Sequence, residues 1–156
     1  MKIELLFLGK TKEPYLAEGI SDHIGRLSHY TRLEVKEVKE RGRNSKLAAH
    51  TLIEAEGRLL LQAKMKSSLL VALDRSGRGL SSEEFARKIK TWEGQGAKGL
   101  SFIIGGPLGL SPAVMRQADF ILSFSQMTFT HEMARLILVE QIYRAYTINA
   151  GTRYHK

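Results

Sequence analysis

The segment FIIGGPLGL, residues 102–110, joins a run of large apolar residues to a glycine-rich loop. A continuous apolar run of this kind is typical of a strand buried on both faces of a parallel sheet. The adjacent Gly105 and Gly106 let the backbone turn sharply and approach a ligand closely. The segment therefore predicts either a strand that ends in a ligand-binding loop or a tight strand-to-helix turn with no ligand.

The alternation of strand and helix continues in both directions from this segment. Apolar periodicity predicts strands at residues 3–8, 33–38, 68–73, 100–104 and 120–124. Helices are predicted at residues 15–30, 47–64, 81–94 and 131–146, with a short one opened by Ser111 as its cap and Pro112. The fold class is therefore α/β, a single domain spanning 1–156 with a five-stranded, mostly parallel sheet flanked by helices.

Composition limits the class of protein. With 156 residues, 43% apolar and 26% charged, the chain has the balance of one globular domain. No apolar run approaches the ~20 residues that a membrane span requires, and the N-terminal run lacks the features of a signal peptide. We expect a cytoplasmic protein that has no membrane partner.

The chain has no cysteine, and its five histidines are scattered, so we expect neither a disulfide nor a metal site. Lys and Arg outnumber Asp and Glu by 24 to 16, which gives a formal charge of +8. An excess of this size suggests a polyanionic partner such as nucleic acid, although a generally basic surface would give the same count.

Loops at the carboxyl ends of parallel strands are where ligands bind in open α/β sheets. Residues 74–80, 105–109 and 125–130 are such loops, and the glycine loop is neither a dinucleotide fingerprint nor a Walker loop. Residues 125–131 offer backbone N–H and C=O groups to an adenine edge, with Leu73, Met127 and Phe129 as apolar walls. The same residues also suit a helix cap at Thr128 or Thr130, and both interpretations can hold together.

The last helix is apolar on more than one face. A second copy of the chain or deep burial within one copy would each account for that. The C-terminal tail, residues 151–156, carries an aromatic ring, two cations and an imidazole. These groups suit base stacking, phosphate binding and proton transfer, although chain ends are often frayed.

Taken in order, these motifs resemble the ribosomal RNA large subunit methyltransferase H family of the SPOUT superfamily. The resemblance covers nearly the whole chain. It is carried by residues 73–74, 102–110, 127–131, 140–145 and 154–156.

The resemblance implies methylation at N3 of a pseudouridine in the helix 69 loop of 23S rRNA, with S-adenosylmethionine as the methyl donor. It also implies a homodimer that acts on the assembled ribosome and a C-terminal trefoil knot. By position, the residues implied to bind the cofactor are Leu73, Gly105, Gly106, Ser125, Gln126, Met127, Thr128, Phe129 and Thr130. Relatives usually carry proline where this chain has Thr130, which keeps a capping hydroxyl but lacks proline's fixed φ.

Three residues match family positions on the substrate side: Arg144, Tyr154 and His155. We predict His155 as the base that removes the N3 proton, relayed through Tyr154, because its unperturbed pKa is ~6.5. Arg144 is predicted to stabilise developing negative charge or to bind a phosphate. His131 is predicted to position its helix.

Other functions fit parts of the sequence. A cofactor-free ribosome-binding module would explain the basic charge but not three polar and glycine loops on one sheet edge. A nicotinamide-dependent oxidoreductase would explain a glycine loop but lacks its early fingerprint. A SPOUT methyltransferase acting on a different RNA nucleotide would fit every motif.

Overall fold

A computed structural model of the chain describes residues 1–40, 48–152 and 154. The described residues form one five-stranded sheet in the order β2-β1-β4-β3-β5, and every pairing in it is parallel. The strands are β1 (Lys2–Leu8), β2 (Arg32–Val38), β3 (Leu69–Gly79), β4 (Gly99–Ile104) and β5 (Phe120–Ser123). The predicted α/β class and five-stranded sheet are confirmed.

Helices cover both faces of this sheet. They are α1 (Pro14–Leu27), α2 (Ala49–Ala63), α3 (Ser82–Gly94), α4 (Pro112–Gln117) and α5 (His131–Asn149). Because successive side chains of a strand point to opposite faces, β1 sends Ile3, Leu5 and Phe7 into one apolar core and Leu6 and Leu8 into another. The first core is closed by α1, α3 and α5, and the second by α2 and α4.

The predicted elements agree with the observed ones to within a few residues. The short helix begins at Pro112 after Ser111, whose hydroxyl accepts a hydrogen bond from the Val114 N–H, as predicted. Helix α2 begins at Ala49, and the predicted start at Leu47 lies outside the described residues.

One boundary was wrong. Residues 74–80 were predicted as a loop, but β3 continues to Gly79 because Arg78 and Gly79 pair with Leu122 and Ser123. The register shifts between Leu73 and Arg78, both of which align with Leu122. A Cβ on Gly77 would lie 2.6 Å from the Ile121 carbonyl oxygen, so only glycine permits this close return to β5.

An ionic network lies at the amino ends of β1 and β4. Glu4 is fully buried, and its carboxylate accepts hydrogen bonds from the Ser101 hydroxyl at 2.7 Å and the Met65 N–H at 2.8 Å. Lys36 Nζ lies 2.6 Å from the same carboxylate. Burial alone would raise the pKa of Glu4, but these partners lower it below its ordinary value, so the carboxylate is held ionised.

Candidate active site

Two loops and one irregular stretch of β3 lie together at the carboxyl edge of the sheet, because β4, β3 and β5 are neighbouring strands. They comprise residues 105–110 after β4, residues 74–77 at the register shift in β3, and residues 124–130 after β5. We refer to them as the carboxyl-edge loops. Eight of the nine residues predicted to bind a cofactor belong to them, and the ninth, Leu73, adjoins them in β3.

The glycine loop is a compact turn. A Cβ on Gly105 would lie 2.5 Å from the Gly109 carbonyl oxygen, so the turn closes only with glycine at this position. The Gly109 N–H donates to the Gly106 carbonyl at 3.0 Å, and Gly109 itself has φ +86°. The loop is therefore a tight turn, and within it Gly106 is half-buried at the edge of the sheet.

The loop after β5 presents apolar side chains to solvent. Met127 is 76% exposed and Phe129 41% exposed, high values for residues of this kind. Ser125 Oγ accepts a hydrogen bond from the Met127 N–H at 3.0 Å. Within the described part of the chain, the N–H groups of Gln126, Thr128 and Phe129 have no protein partner. The loop thus combines apolar surface with open backbone donors.

Leu73 forms the inner wall next to these loops. Its side chain is half-buried and packs against the apolar core under α5. It is aligned with Leu122 at the point where the register of β3 shifts. Leu73 is therefore the last regularly paired residue of β3 before the chain enters the carboxyl-edge loops.

Thr130 joins the loop to α5. Its hydroxyl accepts a hydrogen bond from the Met133 N–H at 3.2 Å, so Thr130 rather than Thr128 is the helix cap. Its φ of −61° lies within the range that proline fixes. Threonine therefore follows the same backbone path that a proline would impose.

Two buried charged residues of α5 bind the end of β1 and the segment that follows it, and neither was predicted from the sequence. The Arg135 side chain is completely buried, and its guanidinium donates to the Leu8 carbonyl at 2.6 Å and to Thr11 Oγ1 at 3.0 Å. The Glu132 carboxylate accepts from the N–H groups of Lys12 and Glu13 at 2.9 and 3.0 Å. The sequence signal that could have predicted them is a Glu and an Arg three positions apart in an otherwise apolar helix.

This pair fixes the start of α5 to the end of β1. The Arg135 guanidinium also lies 4.9 Å from the centre of the Phe7 ring, a cation–π distance. Burial and the nearby Arg135 lower the pKa of His131, which favours its neutral form. His131 is the first residue of α5 and is half-buried beside Glu132, and its positioning role stays a prediction.

Two of the three predicted substrate-side residues, Arg144 and Tyr154, lie with Glu140 and Tyr143 in a separate cluster, here called the tail cluster. Arg144 pairs with Glu140 at 2.5 Å and lies 5.1 Å from the centre of the Tyr154 ring. Tyr154 packs edge-on against Tyr143 at 4.6 Å. Burial and the Glu140 carboxylate raise the pKa of Tyr154, so its phenol stays protonated at neutral pH. His155 lies outside the described residues.

The tail cluster and the carboxyl-edge loops do not meet within one copy of the chain. His131 begins α5 beside the loops, and Arg144 lies thirteen positions further along the helix. At a rise of 1.5 Å per residue this separates the two by about 20 Å. The structure thus brings the predicted cofactor residues together and holds two predicted catalytic residues near the other end of α5.

Among the residues that the structure describes, no three potential metal ligands lie close enough to hold an ion. In the same residues, no helix is long and apolar enough to cross a bilayer.

The parallel sheet and its carboxyl-edge loops define a class of protein. Residues 1–155 match a family model described as a predicted SPOUT methyltransferase. A solved structure of a probable methylase family protein from Haemophilus influenzae Rd KW20 has the same fold, with a TM-score of 0.53. That match covers 99% of this chain and 70% of the other, at 11% identity. The class is therefore the SPOUT methyltransferases.

Relatives of known name narrow the class. Ribosomal RNA large subunit methyltransferase H of Desulfotalea psychrophila is 49% identical over 156 residues, and the protein of that name from Carboxydothermus hydrogenoformans is 47% identical over 159. The one from Clostridioides difficile is 45% identical. All three matches cover 100% of both chains. The chain belongs to the ribosomal RNA large subunit methyltransferase H family, which confirms the resemblance.

Proposed function

We propose that this protein, a single knotted SPOUT domain, transfers a methyl group from S-adenosylmethionine to N3 of a pseudouridine in the helix 69 loop of 23S rRNA. The observation that carries the proposal is the convergence of Gly105, Gly106 and residues 125–130 at one edge of a sheet of this family. The relatives' shared name supports rRNA as the substrate. The proposed setting is the assembled ribosome in the cytoplasm.

The carboxyl-edge loops fit the chemistry of the methyl donor. An adenine ring requires apolar contact on its faces and backbone hydrogen bonds at its edge. Leu73, Met127 and Phe129 supply the apolar contact, and the open N–H groups of Gln126 and Thr128 supply donors. A Cβ on Gly106 would lie 2.9 Å from Leu8 Cδ2, so glycine lets this part of the loop pack closely against β1, and its half-buried backbone can approach a ligand.

When bound, the donor would supply an electrophilic methyl group on a sulfonium. The protein's own task is to hold N3 of the target base in line with that methyl group and to remove its proton. We assign proton removal to His155. Tyr154, whose phenol stays protonated, donates a hydrogen bond rather than accepting the proton, and Arg144 offers positive charge beside it. In the proposed relay to His155, Tyr154 is therefore assigned as a hydrogen-bond donor.

The proposed protein is a homodimer whose sites are shared between copies. The separation of about 20 Å along α5 keeps one copy's tail cluster from its own loops. A twofold pairing of copies would allow the tail of one to reach the loops of the other. Every residue of α5 from His131 to Ile148 is already buried or half-buried in a single copy, so deep burial accounts for much of its apolar character.

The first experiment measures binding and product together. Calorimetry with S-adenosylmethionine and with NAD is expected to show binding of the first alone. Helix 69 RNA from a strain that lacks the gene is expected to lack one methyl group by mass spectrometry. Restoring the gene is expected to restore that methyl group. Failure to bind the methyl donor would overturn the proposal in favour of a cofactor-free ribosome-binding module. A methyl group lost at another nucleotide would favour the second alternative, a methyltransferase with a different target.

The second experiment tests the setting. Methyl transfer is measured on intact ribosomes and on naked 23S RNA at equal concentration. A small basic domain has little surface with which to read one loop alone, so transfer is expected on ribosomes and not on naked RNA. Equal rates on the two would contradict the ribosomal setting while leaving the chemistry intact.

A further inference from the structure

A second concave surface lies outside the carboxyl-edge loops, between α3, the end of β3 and the start of β5. It encloses about 240 Å³. Its lining includes three cations, Arg78, Arg87 and Lys88, which lie beside Phe120 and Thr91. We refer to it as the basic pocket. Neither the family match nor the proposed mechanism gives it a role.

The described residues leave the charge of the basic pocket unbalanced. Its single carboxylate, Glu84, accepts a hydrogen bond from the Ser81 N–H at 2.8 Å as part of the capping box of α3. Elsewhere Lys36, Arg26 and Arg144 each pair with a carboxylate. In the portion of the chain that the structure describes, none of the pocket's three cations does so. The pocket therefore presents a net charge of about +2 to a ligand.

Rigid elements carry these cations. Lys88 Nζ lies 5.1 Å from the centre of the Phe120 ring and 5.3 Å from that of the buried Trp92. Those two rings themselves pack edge-on at 5.8 Å. The backbone of Arg78 is held by its pairing with Leu122, next to the close return of Gly77 onto β5, and its side chain is exposed. A cation restrained as Lys88 is by the two rings loses little freedom on binding an anion.

The position of the pocket points to its ligand. Arg78 and Leu73 are both aligned with Leu122, so the pocket adjoins the carboxyl-edge loops on the side of β5. If a methyl donor is held in those loops, the phosphates that flank the target base can reach this side of the molecule. Phosphate oxygens suit the forked donors of Arg and the point charge of Lys.

We infer that the basic pocket binds the sugar–phosphate backbone of the RNA next to the nucleotide that is methylated. The inference rests on the proposed function, because it takes RNA as the substrate. It adds a binding surface for phosphates that lies apart from the tail cluster, and it assigns Arg78, Arg87 and Lys88 to substrate binding rather than to chemistry.

The test uses a triple variant, Arg78→Gln/Arg87→Gln/Lys88→Met, in which methionine keeps the apolar stem over the aromatic rings. The matched control is Arg32→Gln/Lys66→Gln/Lys98→Gln, which removes three exposed cations at the amino ends of strands. Pelleting with intact ribosomes over a salt series measures affinity without any methyl transfer. Each phosphate contact contributes roughly 0.7 to the salt slope. The triple variant is expected to bind about 10-fold more weakly, with a slope smaller by about 2.

The outcomes separate the two claims. The triple variant should retain wild-type affinity for S-adenosylmethionine by calorimetry and a wild-type rate at saturating ribosomes. If the triple variant bound ribosomes with the same affinity and salt slope as the control variant, the proposed role of the basic pocket would be overturned. Wild-type protein that binds ribosomes through the pocket but transfers no methyl group would overturn the proposed function and leave the pocket standing. Wild-type protein that does not bind ribosomes would overturn both.

Discussion

Thr130 shows at the scale of one residue how a loop and a helix are joined. Thr130→Ala removes the hydroxyl that caps α5 and is expected to lower the free energy of unfolding by about 1 kcal/mol. Thr130→Pro loses the same hydrogen bond but suits the φ of −61°. It restricts the unfolded chain by about 0.4–1 kcal/mol, so we expect nearly wild-type stability. Urea unfolding of both variants measures the difference, and a proline variant less stable than the alanine variant would contradict this interpretation.

Glu4 is a second residue whose contribution can be measured, here through pH. Its pKa is lowered in the folded state, so its stabilisation is complete above the unfolded pKa and is lost as pH falls through the folded value. Glu4→Gln is expected to cost about 2 kcal/mol at pH 7 and progressively less below pH ~4.5. Urea unfolding between pH 7 and 3 measures this.

The matched control for Glu4 is Glu34→Gln, which breaks a half-exposed ion pair with Lys2. Exposed pairs of this kind are worth roughly 0–1 kcal/mol, so this change should be small at every pH. A Glu4→Gln penalty that stayed constant down to pH 3 would mean that the carboxylate's ionisation does not stabilise the fold.

At the scale of elements, the contact between α5 and the loop after β1 fixes the start of α5, which adjoins the loop proposed to bind the cofactor. Arg135→Met keeps the volume but loses the hydrogen bonds to Leu8 and Thr11, a cost of about 2–3 kcal/mol. Because the start of α5 adjoins residues 125–130, we also expect weaker binding of S-adenosylmethionine, measured by calorimetry well below the unfolding temperature. The stability-matched control is Leu138→Ala, a cavity in the same helix that costs about 3 kcal/mol. Equal losses of affinity in the two variants would show that Arg135 acts only through stability.

Elements were predicted well where the signal is local. The strand β4 and the start of β3 are mostly apolar runs. The helix starts are indicated by local capping residues, Ser81 for α3 and Ser111 followed by Pro112 for α4. The return of residues 78–79 onto β5 was missed because strand pairing is non-local and a polar segment such as 74–79 resembles a loop. Arg135 was missed because periodicity identifies a helix but does not show that a charged side chain is buried in it.

At the scale of the whole molecule, the candidate site was only half predictable. The resemblance implies that Arg144 and Tyr154 share a site with the carboxyl-edge loops but not which copy supplies them, and within one copy these residues are separated along α5. The sequence carries no direct record of which copy's residues face each other, because an interface between identical chains leaves the same apolar pattern as a buried core. The shared site therefore has to be tested by an experiment on two copies.

That experiment pairs two inactive chains. One chain carries Met127→Asp/Phe129→Asp and the other carries His155→Ala. Because Met127 and Phe129 are exposed, the double substitution is expected to abolish binding of S-adenosylmethionine without unfolding the chain. Each homodimer should be inactive. A heterodimer isolated with two affinity tags should regain about half of the wild-type rate per dimer, since one of its two sites then has an intact loop and an intact tail. If each site were built within one copy, both sites of the heterodimer would be defective. An inactive heterodimer that still bound S-adenosylmethionine through its one intact loop would therefore place the tail in its own copy's site and require α5 to bend or the tail to cross some 20 Å.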